Sequence, residues 1–252
     1  MKIKQIRNAT IVVQYAGNRF LIDPVLGDKG SFPPFPNSMR QDQANPLVSL
    51  PTSIDELINV DAVIVTHLHK DHFDDAAKEI LPKDIKIFAQ AEADGLQLKE
   101  AGFKNVEVLK ENTQFKGVEL TKTPGQHGRG EVLKRMGNVS GIVFKHSTEK
   151  TLYVAGDTVW YEGVQEVIDT YKPEIIVVNG GDNQLFGMGS LVMGKDDIYE
   201  VHKAAPDSII ISSHMEAMNH WTLSREELKN FINEKQIATK VLVPKDGEEY
   251  LF

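Results

Sequence analysis

The chain opens on apolar and polar positions that alternate with a period of two, at 2–7, 10–15 and 19–22, the last two joined by Gly17-Asn18. That pattern predicts a β-meander. From 24 to 51 the alternation stops and Pro, Gly, Ser, Asn and Gln take over, including Phe32-Pro33-Pro34-Phe35-Pro36. A loop this long inside a compact domain usually serves as a lid or binding loop. A disordered linker is the alternative, but Phe32, Phe35, Met39 and Leu47 give this one something to pack with.

Beyond the loop, a short, apolar, β-branched run at 61–66 reads as a buried strand. Strands and helices then alternate: helix 74–80, strand 85–89, helix 91–101 and strand 106–109. A β-rich stretch follows, with strands at 117–121, 141–145 and 151–155 around the Gly-rich segment 125–137. Alternation resumes with helix 162–171, strand 175–178, helix 195–204, strand 208–212 and helix 224–234. Ser224 and Glu227 have the spacing of a capping box. Central sheets with helices outside are the economical architecture, and 252 residues with 41% hydrophobic side chains can bury such a core.

The chemistry concentrates at the end of the 61–66 strand, where Thr66 to His72 reads T-H-L-H-K-D-H. Three histidines and an aspartate in so short a stretch point to a metal site, and the absence of cysteine excludes thiolate ligands. By the period-two rule His67 and His69 leave the strand on one side, while Leu68 and Lys70 point elsewhere. Asp71 and His72 follow a turn, as an amphipathic helix begins, so they approach from a second direction. One motif could therefore serve two metals.

Further donors are sought at the ends of later strands. His127 lies between Gln126 and Gly128, Asp157 follows Ala155-Gly156, and His214 follows Ser212-Ser213. Taken singly, each has an ordinary explanation: a structural histidine, or an aspartate capping a helix. Together they share the carboxyl ends of predicted strands, where ligand sites are commonly built.

These positions, with Asp23 in Leu21-Ile22-Asp23-Pro24, fall in the order that characterises the metallo-β-lactamase superfamily, which the chain resembles over nearly its whole length. The resemblance implies an α+β fold, a four-layered αβ/βα sandwich, as a single domain over 1–252 with the 24–51 loop near the active site. Its Pro-rich stretch, the 135–141 segment and Met193-Gly194 look like the ascorbate-6-phosphate lactonase-like branch. Carried over by position, the resemblance assigns His67, His69 and His127 to one metal and Asp71, His72 and His214 to the other, bridged by Asp157. Asp71 would also accept a proton in catalysis, and Asp23 would orient a ligand histidine. The implied cofactors are two divalent ions, zinc first, with manganese or iron as alternatives.

The expected function is hydrolysis of a small-molecule ester, lactone or phosphodiester by hydroxide held at a dinuclear site. An iron-dependent oxidoreductase on the same fold, or a non-catalytic sensor, are the rival readings. For substrate contact, His220 and Arg129 are candidates, with Trp221 and Arg40 weaker; His146 and His202 read as structural or solvent-facing. The net charge of −8 argues against a nucleic-acid partner. With no signal peptide or membrane-length apolar run visible, a cytoplasmic protein is expected, acting on a small molecule, with a homo-oligomer left open.

Overall fold

The computed structural model describes residues 1–252. Two seven-stranded sheets divide the chain nearly in sequence. The first holds the meander Lys2–Arg7, Thr10–Tyr15 and Asn18–Ile22, then the parallel strands Ala62–Val65, Lys86–Ala89 and Asn105–Val108. The second runs Thr113–Phe115, Val118–Pro124, Ser140–Lys145, Leu152–Val154, Ile175–Asn179, Ile209–Ser213 and Val241–Leu242. The strand Glu249–Leu251 then returns to the first sheet and pairs antiparallel with Lys2–Arg7.

Three apolar clusters make the layers. Ile3, Val13, Phe20, Ile64 and Phe88 of the first sheet meet Leu120, Ile142, Phe144, Val177 and Ile211 of the second in one shared core. The outer face of the first sheet, with Val63, Val65 and Ile87, packs against helices Ile54–Ile58, Asp75–Ile80 and Glu92–Glu100. On the other side, Val143, Tyr153 and Ile176 pack against helices Glu162–Tyr171, Lys195–Ala204 and Arg225–Glu234. Helix, sheet, sheet, helix is the expected sandwich. Strand Ala62–Val65 shows why its sequence does not alternate: Ala62 and Ile64 face the shared core, Val63 and Val65 the helices.

Helices Glu162–Tyr171 and Lys195–Ala204 fall where the apolar periodicity places them. Ser224 and Glu227 form the capping box ahead of Arg225–Glu234. The 24–51 segment contains no helix or sheet strand, and a single bridge, Phe32 to Asn45, folds it back on itself. It is nevertheless tied down, because buried Arg7 donates to Val48 O at 2.9 Å, Val25 O at 2.9 Å and Gly27 O at 2.7 Å. No helix is long and apolar enough to cross a membrane.

Candidate metal centre

Parallel pairing brings the chemistry to one edge. Ile22 is paired with Ile64 across two parallel strands, so Asp23 and Thr66 leave the first sheet side by side. Asp23 Oδ1 accepts from the Thr66 backbone N–H at 2.7 Å, and its Oδ2 accepts from Thr66 Oγ1 at 2.7 Å. In the second sheet Asn179 is in register with Ser213, so Asn179 and His214 emerge together, and Asp157 follows the neighbouring strand Leu152–Val154. Gly156 makes that exit with φ +67, and a Cβ there would lie 2.6 Å from Ser140 O. His214 itself has φ 61, in the left-handed region that non-glycine residues seldom occupy. Its backbone N–H is held by Asn8 O at 3.0 Å.

Three groups of donor atoms result, each within 4.8 Å: His67, His69 and His127; His67, His72 and Asp157; Asp71, His72 and His214. Asp157 lies among them, its Oδ2 at 3.1 Å from His72 Nε2, 3.4 Å from His127 Nε2 and 3.9 Å from His67 Nε2. Its Oδ1 is 3.8 Å from His214 Nε2 and accepts from Asn179 Nδ2 at 2.6 Å. Asp71 Oδ2 lies 3.3 Å from His214 Nε2 and 3.6 Å from His220 Nε2.

The imidazoles are aimed. His127 Nδ1 is 2.9 Å from Leu191 O and His72 Nδ1 is 2.8 Å from Asp23 Oδ2, which leaves each Nε2 facing the centre. Such outer partners fix the tautomer and ring plane of a ligand histidine. His67 Nε2 is buried without any hydrogen-bond partner, and His72 Nε2 and His214 Nε2 face one another at 3.2 Å. Buried nitrogens converging in this way need a shared cation or proton, and a nitrogen and carboxylate donor set suits zinc, manganese or iron. The residues fit a divalent metal.

Ionisation agrees with that fit. Burial pushes His67 well below its ordinary range, with His72 adding to the effect, and burial also lowers His69. Burial alone would raise the carboxyls of Asp71 and Asp157. The surrounding imidazoles, His214 foremost for Asp71 and His72 for Asp157, instead hold both well below the carboxylate range. His72 goes the other way: burial opposes its charge, but the carboxylates of Asp157 and Asp23 prevail and raise it well above normal. A cation beside His72 Nε2 therefore competes with a proton.

Above the donors lies a cavity of about 220 Å³, with Phe35, Pro36, Met136, Leu185 and Leu191 as its apolar wall and His69, Lys70, Asp71, His127 and His220 as its polar lining. His220 is in that lining, 6% exposed, with its ring edge-on to Phe35 at 4.9 Å and Nε2 3.0 Å from Asn183 Nδ2. Burial takes its pKa down to about 4.

Arg129 is not brought to this cavity. Beyond Gly128, at φ +103, its guanidinium turns to Asp197, with Nη2 2.7 and 2.9 Å from the two carboxylate oxygens. Arg40 stacks on Trp221 at 3.5 Å and donates to Trp221 O, so neither residue lines the cavity. Lys70 corrects the expectation that it points elsewhere: it lines the cavity, paired with Asp75 Oδ2 at 3.0 Å. Phe35 and Pro36 come from the 24–51 loop that the sequence marks as a binding loop, whereas Asn179, Asn183, Met136, Leu185 and Leu191 carry no sequence signal, since nothing in their spacing marks them.

Residues 18–215 match the family model described as Beta-lactamase superfamily domain. The chain is 65% identical over 254 residues to UPF0173 protein YddR of Bacillus subtilis, with 100% of both chains covered. It is 26% identical to a UPF0173 metal-dependent hydrolase of Methanosphaera stadtmanae, covering 99% of each. Among solved structures it is similar to the isothiocyanate hydrolase from Delia radicum gut bacteria, at 44% identity and TM-score 0.96, covering 100% of this chain and 99% of that one. A second, described as "a possible metal-dependent hydrolase" from Veillonella parvula, gives 37% identity and TM-score 0.97 with the same coverage. The chain belongs to the β-lactamase superfamily and, within it, to the UPF0173 family of metal-dependent hydrolases.

Proposed function

From that membership we propose that the chain hydrolyses a small, uncharged, apolar-tailed electrophile, of which an organic isothiocyanate is the first choice. The observation that carries this reading is the cavity: an apolar wall of Phe35, Pro36, Met136, Leu185 and Leu191 over a floor of His and Asp donors that fit a metal ion. The similarity to an isothiocyanate hydrolase supports it. Phosphodiesters and phosphorylated lactones are disfavoured, because Lys70, the only lysine or arginine lining the cavity, is already paired with Asp75 and the floor carries Asp71. An uncharged ester or lactone is the second choice, since the same wall would accept its alkyl part.

His67, His69 and His127 would hold one ion and Asp71, His72 and His214 the other, with Asp157 between them. Two divalent ions, zinc first and manganese or iron as alternatives, would supply Lewis acidity and lower the pKa of a bound water. Asp23 holds the His72 ring by its Nδ1, and Asn179 holds Asp157 by its Oδ1. Asp71 Oδ2, facing His214 and His220 at the cavity floor, takes the role of proton acceptor. His220 contacts the polar end of the substrate, and the apolar wall excludes bulk water from its tail. In the reaction a water oxygen bonds to the central carbon of R–N=C=S and a proton moves to nitrogen. The resulting thiocarbamic acid then parts into R–NH₂ and COS.

Protein stripped with chelator and reloaded with zinc, manganese or iron tests this directly. Allyl and phenethyl isothiocyanate, an acetate ester, a γ-lactone and a phosphodiester would be assayed with metal content measured alongside. Expected are isothiocyanate consumption by the loaded protein and its loss in Asp157→Ala. Turnover of the phosphodiester alone would sink the reading.

A further inference from the structure

The roof of the cavity converges on one side chain that does not line it. Asn219 is 0% exposed. Its Oδ1 accepts from the Phe35 backbone N–H at 2.8 Å and from Asn45 Nδ2 at 2.9 Å. Its Nδ2 donates to Met39 O at 2.7 Å, Ser38 Oγ at 2.9 Å and Phe35 O at 3.2 Å. The orientation of the amide is forced, because the Phe35 N–H can only donate and the two carbonyls can only accept. Its backbone N–H donates to Asn45 Oδ1 at 2.8 Å, closing a reciprocal pair.

These bonds fix the stretch of the 24–51 loop that supplies Phe35 and Pro36. That stretch also has its own small core, with Phe35 packed on Val25, Phe32 and Met218. Its far edge is stitched to the hairpin that carries Leu185, through Phe186 N–H to Asn37 O at 2.7 Å and Asn37 Nδ2 to Phe186 O at 3.1 Å. The residue after Asn219 is His220, whose ring meets Phe35 and whose Nε2 faces Asp71. One buried amide thus spaces the apolar ceiling from the polar floor. The loop is thereby held over the cavity as part of its wall.

We propose that Asn219 is a positioning residue that sets the gap between Phe35 and the Asp71–His220 floor, and through that gap selects substrates by the bulk of their apolar tail. The proposal rests on the apolar-substrate reading given above. A purely structural asparagine would lower stability and active fraction for all substrates alike. A positioning role changes KM according to tail size and acts through Phe35.

The test compares metal-loaded wild type, N219D, F35A and the double variant on allyl and phenethyl isothiocyanate, with metal content determined for each. Asn219→Asp keeps the acceptor and removes the donated bonds. KM for the phenethyl compound is expected to rise about tenfold in N219D and in F35A, with kcat within about twofold and the allyl compound little affected. The double variant should be no worse than F35A. Effects that multiply, or a fall in kcat at unchanged KM, would overturn the proposal. Should N219D not fold, S38A removes one acceptor and should shift the same ratio about twofold, and an unchanged ratio would count against it. If wild type consumes neither isothiocyanate, the functional reading fails by itself. Asn219 is then judged by amide hydrogen exchange: N219D, or S38A more weakly, should speed exchange across 35–41 about tenfold while 62–72 stays unchanged, and equal protection would end the proposal.

Discussion

The floor and the roof of the cavity are built by opposite strategies. The floor takes its donors from strand ends, each placed by a neighbouring strand in register, as Ile22 with Ile64 and Asn179 with Ser213. The 24–51 part of the roof belongs to neither large sheet; side chains such as Arg7 and Asn219 reach across to satisfy its carbonyls and amides. On the proposed reading the chemistry belongs to the sheets and the choice of substrate to the loops, so the two should separate under mutation.

The largest separation should come from the floor. Asp157→Ala removes the carboxylate shared among four imidazoles, and hydrolysis should fall by roughly a thousandfold or more together with bound metal, seen by turnover and elemental analysis. Arg7→Ala attacks the roof, leaving the carbonyls of Val25, Gly27 and Val48 without their donor. About 3 kcal/mol of stability should go, read from the denaturant midpoint of the chelated protein, where metal cannot compensate. Asp23→Asn keeps the shape but weakens the grip on His72 Nδ1. Metal affinity should drop by about 10 to 100-fold with the tail preference intact, and an altered preference would blur the division between floor and roof. Leu185→Ala is the converse: selectivity between long and short apolar tails should change about tenfold at unchanged metal content. Smallest of all, Arg129→Ala should leave kcat/KM within about twofold and stability within about 0.5 kcal/mol, since its pair with Asp197 is exposed. A tenfold loss there would restore Arg129 to the site.

The same division decides what the sequence reveals. Each candidate donor on the floor is a His or Asp, and the T-H-L-H-K-D-H spacing singles out His67, His69, Asp71 and His72, whereas His127, Asp157 and His214 are ordinary one by one and join them only through their common place after predicted strands and the family resemblance. Asn179, which holds Asp157, escapes because a lone asparagine at a strand end has many ordinary uses. The wall escapes for a different reason. Phe35 is marked by the sequence only as a packing residue of a binding loop, and it meets Met136, Leu185 and Leu191 only through tertiary folding, because an isolated apolar residue in a loop says nothing of its partners. Nearness along the chain also misleads: Arg129 is two residues from His127 yet turned away by Gly128, while Lys70, assigned away from the centre by strand alternation, lines the cavity because Ala62–Val65 ends before it. Among the elements, strands of two or three residues such as Gln184–Leu185 and Val241–Leu242 are too short for any period to show.

Strand Glu249–Leu251 carries a consequence for biosynthesis. It pairs with Lys2–Arg7 in the first sheet although the ribosome makes it after the whole of the second. The meander it completes must therefore wait with one edge unpaired, while His67, His69 and His72 stand ready before His127, Asp157 and His214 exist. Early in synthesis a metal ion would meet half a coordination set, and a firm grip has to follow the docking of one sheet on the other. Loading would in this way be a late event, and an ion bound across both sheets would fasten together two halves that were translated apart.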